Sequence, residues 1–357
     1  MDEAMIKLIT EDCKKSCKNS VLFSMLKDQT ILITGGTGFM GKWLAEMISY
    51  INDKENFNIQ LILLARDIKK FEKEMSHLAD RPYIRLLRQD VRNVHDLPVE
   101  INYIIHAAGT PDNREHVSQP ILTIETFYKG TQAILDAASR LPDLKKIVHI
   151  SSHLVYGEWD SEDNISEKFS GKVGISSINN VYAESKRIAE TLCLAYRNQF
   201  KLPISIVRPF AFVGPYHDLE KPWAINNFIR DGILGGAIRI LGNGSTVRSY
   251  LYGSDMAYWI LVTLLKGQIG EIYNLGSSEA VSLNDLAKKI QTMINPNLEI
   301  LSKSSKENYT NLSRLVPDTT KIVKALNVEE TYQINDSINR TIVWNQLKGI
   351  NKNNITK

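Results

Sequence analysis

The sequence predicts a doubly wound α/β fold: a parallel sheet covered by helices on both faces, with a smaller mixed α/β lobe at its C-terminal end. Three observations carry this. Short apolar runs recur through the first part of the chain, helical patterns separate most of them, and a glycine-rich turn joins the first run to the first helix. Strands apolar along their whole length are buried on both faces, as in a parallel sheet. Crossovers between such strands are right-handed, which gives the doubly wound arrangement.

The elements follow in order. Residues 1–27 read as an N-terminal helical extension, with apolar side chains at helical spacing in MIKLITEDCKKSCKNSVLFSMLK. TILIT (30–34), IQLILLA (59–65), YIRLLRQD (83–90), INYIIHAAG (101–109) and KKIVHISS (145–152) read as five strands, and ILTIETFYKGTQAILDAASRL (121–141) as a covering helix. These place the first domain at 28–204, with a strand near 205–209 returning to it. Residues 210–345 then form the second lobe, where Ser282 is positioned to cap the helix in VSLNDLAKKIQTMI (281–294). The polar stretch QLKGINKNNITK, at 346–357, reads as a flexible tail.

Composition narrows the class of function. Of 357 residues, 43% are apolar and 23% charged, with a formal net charge of +3. That is ordinary for a soluble globular protein and argues against a nucleic-acid partner. The longest apolar run, MAYWILVTLL (256–265), falls far short of the roughly 20 residues a membrane span needs. Asp2, Glu3 and Lys7 stand early in the chain, with no signal-peptide core. Cys13, Cys17 and Cys193 make no disulfide framework. Cys13 and Cys17 share a helix face, but no His or further Cys near them completes a metal site, and none is expected. The expected setting is a reducing cytoplasm, where sequons such as Asn308-Tyr309-Thr310 are chance matches.

TGGTGFMG (34–41) lies between a predicted strand and a predicted helix. Glycines at 35, 38 and 41 let the backbone approach a pyrophosphate, which then sits on the helix N-terminus. Gly35, Thr37, Gly38, Phe39, Met40 and Gly41 are the candidate contacts, and the domain is of the dinucleotide-binding (Rossmann) type. The second strand ends LILLARD, with Ala65 where an acid usually grips the adenosine ribose and Arg66 next. An arginine without that acid suits a 2′-phosphate, which favours NADP(H) over NAD(H); Asp67 acting as the acid, or a solvated Arg66, would restore NAD(H). Asp90 and Val91, in QDVRN (89–93), fall near the adenine. HAAGT (106–110) passes Ala107, Ala108 and Gly109 along the cofactor.

Two further stretches carry chemistry. ISSHLVYG (150–157) puts Ser152 at a strand end, and YAESK (182–186) puts Tyr182 and Lys186 at i and i+4 on one helix face. From about residue 28 to 330 the chain resembles the extended short-chain dehydrogenase/reductase family. Within it, the likeness is to the NAD(P)-dependent nucleotide-sugar epimerases, dehydratases and reductases. Seven segments carry it in order: TGGTGFMG, HAAG, ISSHLVYG, YAESK, RPFAFVGPY (208–216), GNGSTVRSYLY (242–252) and EIYNLGSSEAVSLNDLA (271–287). The resemblance implies Tyr182 as acid/base, Lys186 as the ammonium that lowers its pKa and holds the nicotinamide ribose, and Ser152 as the orienting hydroxyl. It implies Pro209 at the cofactor, and Thr110, Ser152, His153, Asn226, Asn227 and Arg248 at a nucleotide-diphosphate sugar. It also implies a homodimer paired through two helices of the first domain.

Departures from the family's pattern narrow the reaction. The 4,6-dehydratases carry an Asp-Glu pair after the serine position, and the decarboxylases keep the glutamate; this chain has His153-Leu154. Leucine shuttles no protons, so dehydration and decarboxylation are disfavoured unless another group, such as His153 with Glu158, supplies the chemistry. What remains is hydride transfer at sugar C4, in a 4-keto-sugar reductase or a 4-epimerase. His153 either works as an acid/base or packs beside the pocket. Phe127 and Ala211 stand where relatives often carry asparagine. A cofactor-sensing protein that kept the fold and dropped the reaction is the non-enzymatic alternative.

Overall fold

The structure, a computed structural model, describes residues 1–174, 176–302 and 313–350. Strands β1 (Thr30–Thr34), β2 (Gln60–Ala65), β3 (Ile84–Arg88), β4 (Ile101–His106), β5 (Lys146–Ile150), β6 (Ile204–Pro209) and β7 (Ile272–Leu275) form one seven-stranded sheet. All neighbours pair in parallel, in the order β7-β6-β5-β4-β1-β2-β3. The order reverses between β1 and β4, and a doubly wound sheet binds ligands at the carboxyl edge there.

Strand β1 illustrates how the sequence builds the layers. Ile31 and Ile33 point to one face and Leu32 to the other, and all three are fully buried. Against the first face pack α2 (Phe39–Glu55), through Trp43, Leu44 and Met47, and the apolar helix at Gly253–Lys266, through Trp259 and Ile260. Against the second lie α3 (Pro120–Ala138), through Ile134 and Leu135, and α4 (Val181–Phe200), through Cys193. The smaller lobe gathers helices α5 (Ala224–Ile233), α6 (Leu283–Ile294) and α7 (Ile334–Leu347) around short strands at Ile238–Ile240 and Ile300–Ser302. No described helix is long and apolar enough to cross a membrane.

Two elements from beyond residue 210 join the sheet of the first domain. Strand β7 comes from beyond residue 210 yet pairs with β6, Ile272 opposite Ile206, as the sheet's edge. The helix at Gly253–Lys266 likewise packs on the sheet rather than in the lobe. At the other end, the helix α1 (Glu3–Ser16) is no appendage: Met5, Leu8, Ile9 and Cys13 are buried in the core shared with α2. Its Asp12 is fully buried and accepts hydrogen bonds from the hydroxyls of Tyr252 and Tyr332, each 2.7 Å long. Arg340 completes this cluster by pairing with the same carboxylate. Long-range partners from both halves of the chain thus hold α1 in place. The tail is helical through Leu347, while residues 351–357 and the Asn308-Tyr309-Thr310 sequon lie outside the described residues.

Candidate active site

The glycine turn is fitted to a close visitor. Gly35 adopts φ +69°, and a Cβ there would sit 2.7 Å from the Ala107 carbonyl oxygen. At Gly41 a Cβ would lie 2.2 Å from the Gly36 oxygen, so the turn closes only with glycine. Gly38 caps α2 with no side-chain bond, so no capping side chain occupies the first N–H groups of the helix. Thr34 fixes the opposite wall: its Oγ1 accepts from the N–H groups of Ala107 and Ala108, 3.1 Å each. Its proton is then free for His106 Nδ1, at 2.7 Å. Burial holds His106 down at about 3, hence neutral.

A groove of about 390 Å³ opens along this edge. Of the predicted contacts, Gly35, Thr37, Gly38, Arg66, Asp90, Val91, Ala108, Gly109 and Thr110 line it, with Asp67 beside Arg66. Gly41 stands behind the turn as a spacer. Phe39 instead faces the lobe, its ring 4.0 Å from that of His217, and Met40 packs into the core. Arg66 and Asp67 are both exposed. Asp90 is held by Arg92 through bonds of 2.8 and 3.1 Å, and these keep its carboxyl below the usual range.

Ser152, Tyr182 and Lys186 come together at the groove's inner end. Ser152 follows β5 by two residues and caps the short helix His153–Tyr156, its Oγ accepting from Leu154 N at 3.2 Å. Tyr182 lies in the first turn of α4, and Lys186 one turn on donates to the Ile150 carbonyl at 2.7 Å. Two rings that the sequence did not single out as site residues enclose the pair. His116 stacks on Tyr182 at 4.2 Å and 11°, while Phe127 meets Tyr182 edge-on at 5.1 Å. The Lys186 ammonium sits 4.3 Å over the Phe127 ring. Burial pushes Tyr182 up to about 12, opposed by the Ser152 hydroxyl. Burial likewise pulls Lys186 down to about 7, opposed by the Glu190 carboxylate. That carboxylate is bound by Arg208, at 2.7 and 2.9 Å, and by Ser151, at 2.5 Å.

The remaining predicted residues sit across the cleft. The Nδ1 of His153 lies 3.0 Å from the Pro209 carbonyl, so it carries the proton, and the ring stacks on Phe210 at 5.0 Å. Burial takes this histidine down to about 4, with the Arg248 charge pushing the same way. At neutral pH His153 is therefore an anchored, neutral ring, a poor proton donor. Arg248 reaches the carbonyls of Val247 and Ser313, at 2.8 and 2.9 Å. Asn226 is buried and donates to the Asp218 carbonyl at 2.9 Å, tying down the loop after β6; Asn227 is half-buried beside it. Leu154 is half-buried, and Glu158 is exposed. Among the described residues, no three His, Cys, Asp or Glu side chains gather as a metal site.

A parallel sheet wound in this order, a glycine turn shaped for a pyrophosphate and a serine, tyrosine and lysine at its carboxyl edge define an extended short-chain dehydrogenase/reductase. The chain belongs to the NAD dependent epimerase/dehydratase family, whose model matches residues 31–276. It is 28% identical over 323 residues to UDP-glucuronic acid decarboxylase 1 of Xenopus tropicalis, covering 90% of this chain and 73% of that one. It is 29% identical over 323 residues to the UDP-N-acetyl-alpha-D-glucosaminuronate decarboxylase of Bacillus cytotoxicus, covering 88% and 96%. Among solved structures it resembles the UDP-glucuronic acid 4-epimerase of Bacillus cereus in complex with UDP-glucuronic acid and NAD. The TM-score there is 0.75 at 23% identity, covering 89% of this chain and all of that one.

Proposed function

We propose that this protein transfers hydride at C4 of a hexose carried on a uridine diphosphate, as a 4-epimerase or a 4-keto-sugar reductase. The observation that carries the reading is the pairing of a buried Ser152–Tyr182–Lys186 group with Leu154 in place of a carboxylate. The family resemblance puts a glutamate at that position in the decarboxylases. Here the carboxylate beside Lys186, Glu190, is already engaged by Arg208 and Ser151.

The groove fits a nicotinamide dinucleotide on its own geometry. Glycine at 35 and 41 lets the turn pack tightly on Ala107 and Gly36 at the start of α2, and a helix N-terminus with no capping side chain suits the charge of a pyrophosphate. When bound, the cofactor supplies or accepts the hydride. The rest falls to the chain. Tyr182, protonated in its dry site, donates to the oxygen of a C4 carbonyl and becomes the phenolate; in reverse, the phenolate takes the hydroxyl proton. Lys186 stabilises the resulting phenolate, and Ser152 orients the same oxygen. Leu154 and the neutral His153 leave C5 untouched.

Arg66, exposed on the groove and in no ion pair among the described residues, supports NADP(H) over NAD(H). Arg66→Ala is expected to lower the NADPH:NADH ratio of kcat/KM about tenfold; an unchanged ratio removes that preference. An apolar strip across α3 and α4, with Ile121, Ile124, Tyr128, Ile188 and Phe200 exposed, supports pairing of two copies there. Three free, buried cysteines fit a cytoplasmic setting.

The deciding experiment incubates the purified protein with UDP-glucuronic acid, UDP-glucose and UDP-4-keto-6-deoxyglucose, with either cofactor. Inverted or reduced C4 in the product is the expected result. Release of carbon dioxide from the first, or water from the second, would sink this reading in favour of decarboxylase or dehydratase chemistry. Cofactor binding with no turnover of any sugar would leave the cofactor-sensing alternative.

A further inference from the structure

His116 plays no part in the chemistry above, yet its ring touches the residue that does. It sits in the short helix Asn113–Ser118 after β4, 2% exposed, and lines the groove. One ring nitrogen, Nε2, lies 2.7 Å from the Thr110 carbonyl oxygen. A carbonyl only accepts, so Nε2 carries the hydrogen. Burial lowers the pKa of His116, which keeps the ring neutral, and Nδ1 is then a bare acceptor. That atom is buried and has no partner among the described residues. A buried acceptor left unpaired is costly, and natural structures usually satisfy one.

The rest of the helix is built to hold this ring still. Asp112, almost wholly buried, caps the helix at Arg114 N and receives Lys221 at 2.9 Å; Lys221 also reaches Glu115 at 3.2 Å. Lys221 comes from the loop after β6, so the helix is clamped across the cleft. The ring lies flat against Tyr182 and lines the groove, so it stands between the groove and the phenol. The diphosphate diester of a sugar nucleotide or dinucleotide is fully ionised at neutral pH and offers no hydrogen to such an acceptor, whereas a hexose offers several hydroxyls.

We propose that His116 is a substrate-reading residue whose Nδ1 accepts a hydrogen bond from a sugar hydroxyl near the carbon Tyr182 works on. This rests on the functional reading given above. The test is calorimetric binding of UDP, UDP-glucuronic acid and NAD+ to the full chain and to His116→Phe, which keeps a ring on Tyr182 and removes both nitrogens. UDP-glucuronic acid should weaken about tenfold, with UDP and NAD+ changed less than about twofold. His116→Gln, with both an N–H and an acceptor oxygen, should recover most of the loss. Equal losses for UDP and the sugar nucleotide, or no loss, overturn the inference; a loss confined to NAD+ overturns it by giving the bond to the cofactor. Should the Phe variant fail to fold, ¹⁵N spectra of wild-type His116 decide: Nδ1 must shift with UDP-glucuronic acid and not with UDP. A wild-type protein that inverts or reduces C4 in none of the three sugar nucleotides overturns the functional reading itself, and this inference with it.

Discussion

Two buried tyrosine clusters stand in contrast. One is Tyr182 with Ser152 and Lys186; the other is Tyr252 and Tyr332 around Asp12 and Arg340. Both tyrosine sets are pushed up by burial. In the second, each hydroxyl donates to the Asp12 carboxylate at 2.7 Å and the Arg340 charge is met by the same group. In the first, the Lys186 ammonium lies over the Phe127 ring and bonds to one carbonyl, with no carboxylate bonded to it among the described residues. Burial and a displaced pKa therefore do not separate site from scaffold. What separates them is whether the polar groups find their partners inside the protein or wait for them at a cleft.

The sharpest way to break this contrast is to remove one hydroxyl from each cluster. Tyr182→Phe should cut turnover by about 10³-fold, within the range expected for a positioned acid/base, with cofactor affinity and melting temperature retained. Tyr252→Phe should do the reverse, costing about 1–3 kcal/mol of stability by stranding part of the Asp12 carboxylate, with kcat unchanged in the folded fraction. Kinetics and urea titrations on the same samples check both. If Tyr252→Phe lost turnover without losing stability, the scaffold assignment would be wrong. Asp12→Ala should cost about 1–3 kcal/mol, because the Tyr252 and Tyr332 hydroxyls lose their acceptor while Arg340 keeps the exposed Glu11 and the Leu8 carbonyl; a loss under about 1 kcal/mol would mean that α1 is held by its apolar face alone.

A pH experiment separates the clusters more finely. Lys186 is held near 7 in the folded protein against 10.5 for an ordinary lysine. Between those values the unfolded chain binds more protons, so stability should rise with pH across that window. Below about 7 the folded protein carries the full cost of a dry ammonium. Lys186→Met should flatten this rise, which urea midpoints of ligand-free protein at pH 7, 8.5 and 10 will measure. A variant with the same slope as wild type would place the titration elsewhere.

The same contrast governs what the sequence reveals. The glycine turn, the strand-end Ser152 and the Tyr182–Lys186 spacing are local devices: neighbours along the chain make them, and period and turn chemistry expose them. The strands of the first domain were legible for the same reason, each being a short apolar run between helices. The return of β7 to the sheet edge, the docking of α1 and the stacking of His116 on Tyr182 are contacts between distant segments. Asp12 is an acid within the apolar pattern of α1, and that anomaly was the one mark of a buried partner. His116 gave no mark at all, since one histidine in a polar loop has nothing periodic about it.

Phe127 offers the smallest and most specific test, because it decides why the Lys186 site is dry. Its ring fills the space where a Cβ on Gly109 would fall, 2.3 Å from Cε1, and it covers both Tyr182 and Lys186. Phe127→Asn removes that cover and gives the ammonium a polar neighbour and room for water. Burial is the chief cause of the lowered Lys186 pKa, so the variant's lysine should titrate closer to 10.5. Removing the ring also removes its cation–π attraction for the ammonium, which acts in the opposite sense but is worth only about 0.5–2 kcal/mol. The poorer packing should cost a further few kcal/mol of stability, on the order of other large-to-small changes at buried aromatics. The decisive measurement is the slope of stability between pH 7 and 10. A slope flattened to that of Lys186→Met makes the aromatic cover the cause of the shift; an unchanged slope assigns it to the depth of α4 beneath the sheet edge, with Phe127 as packing only.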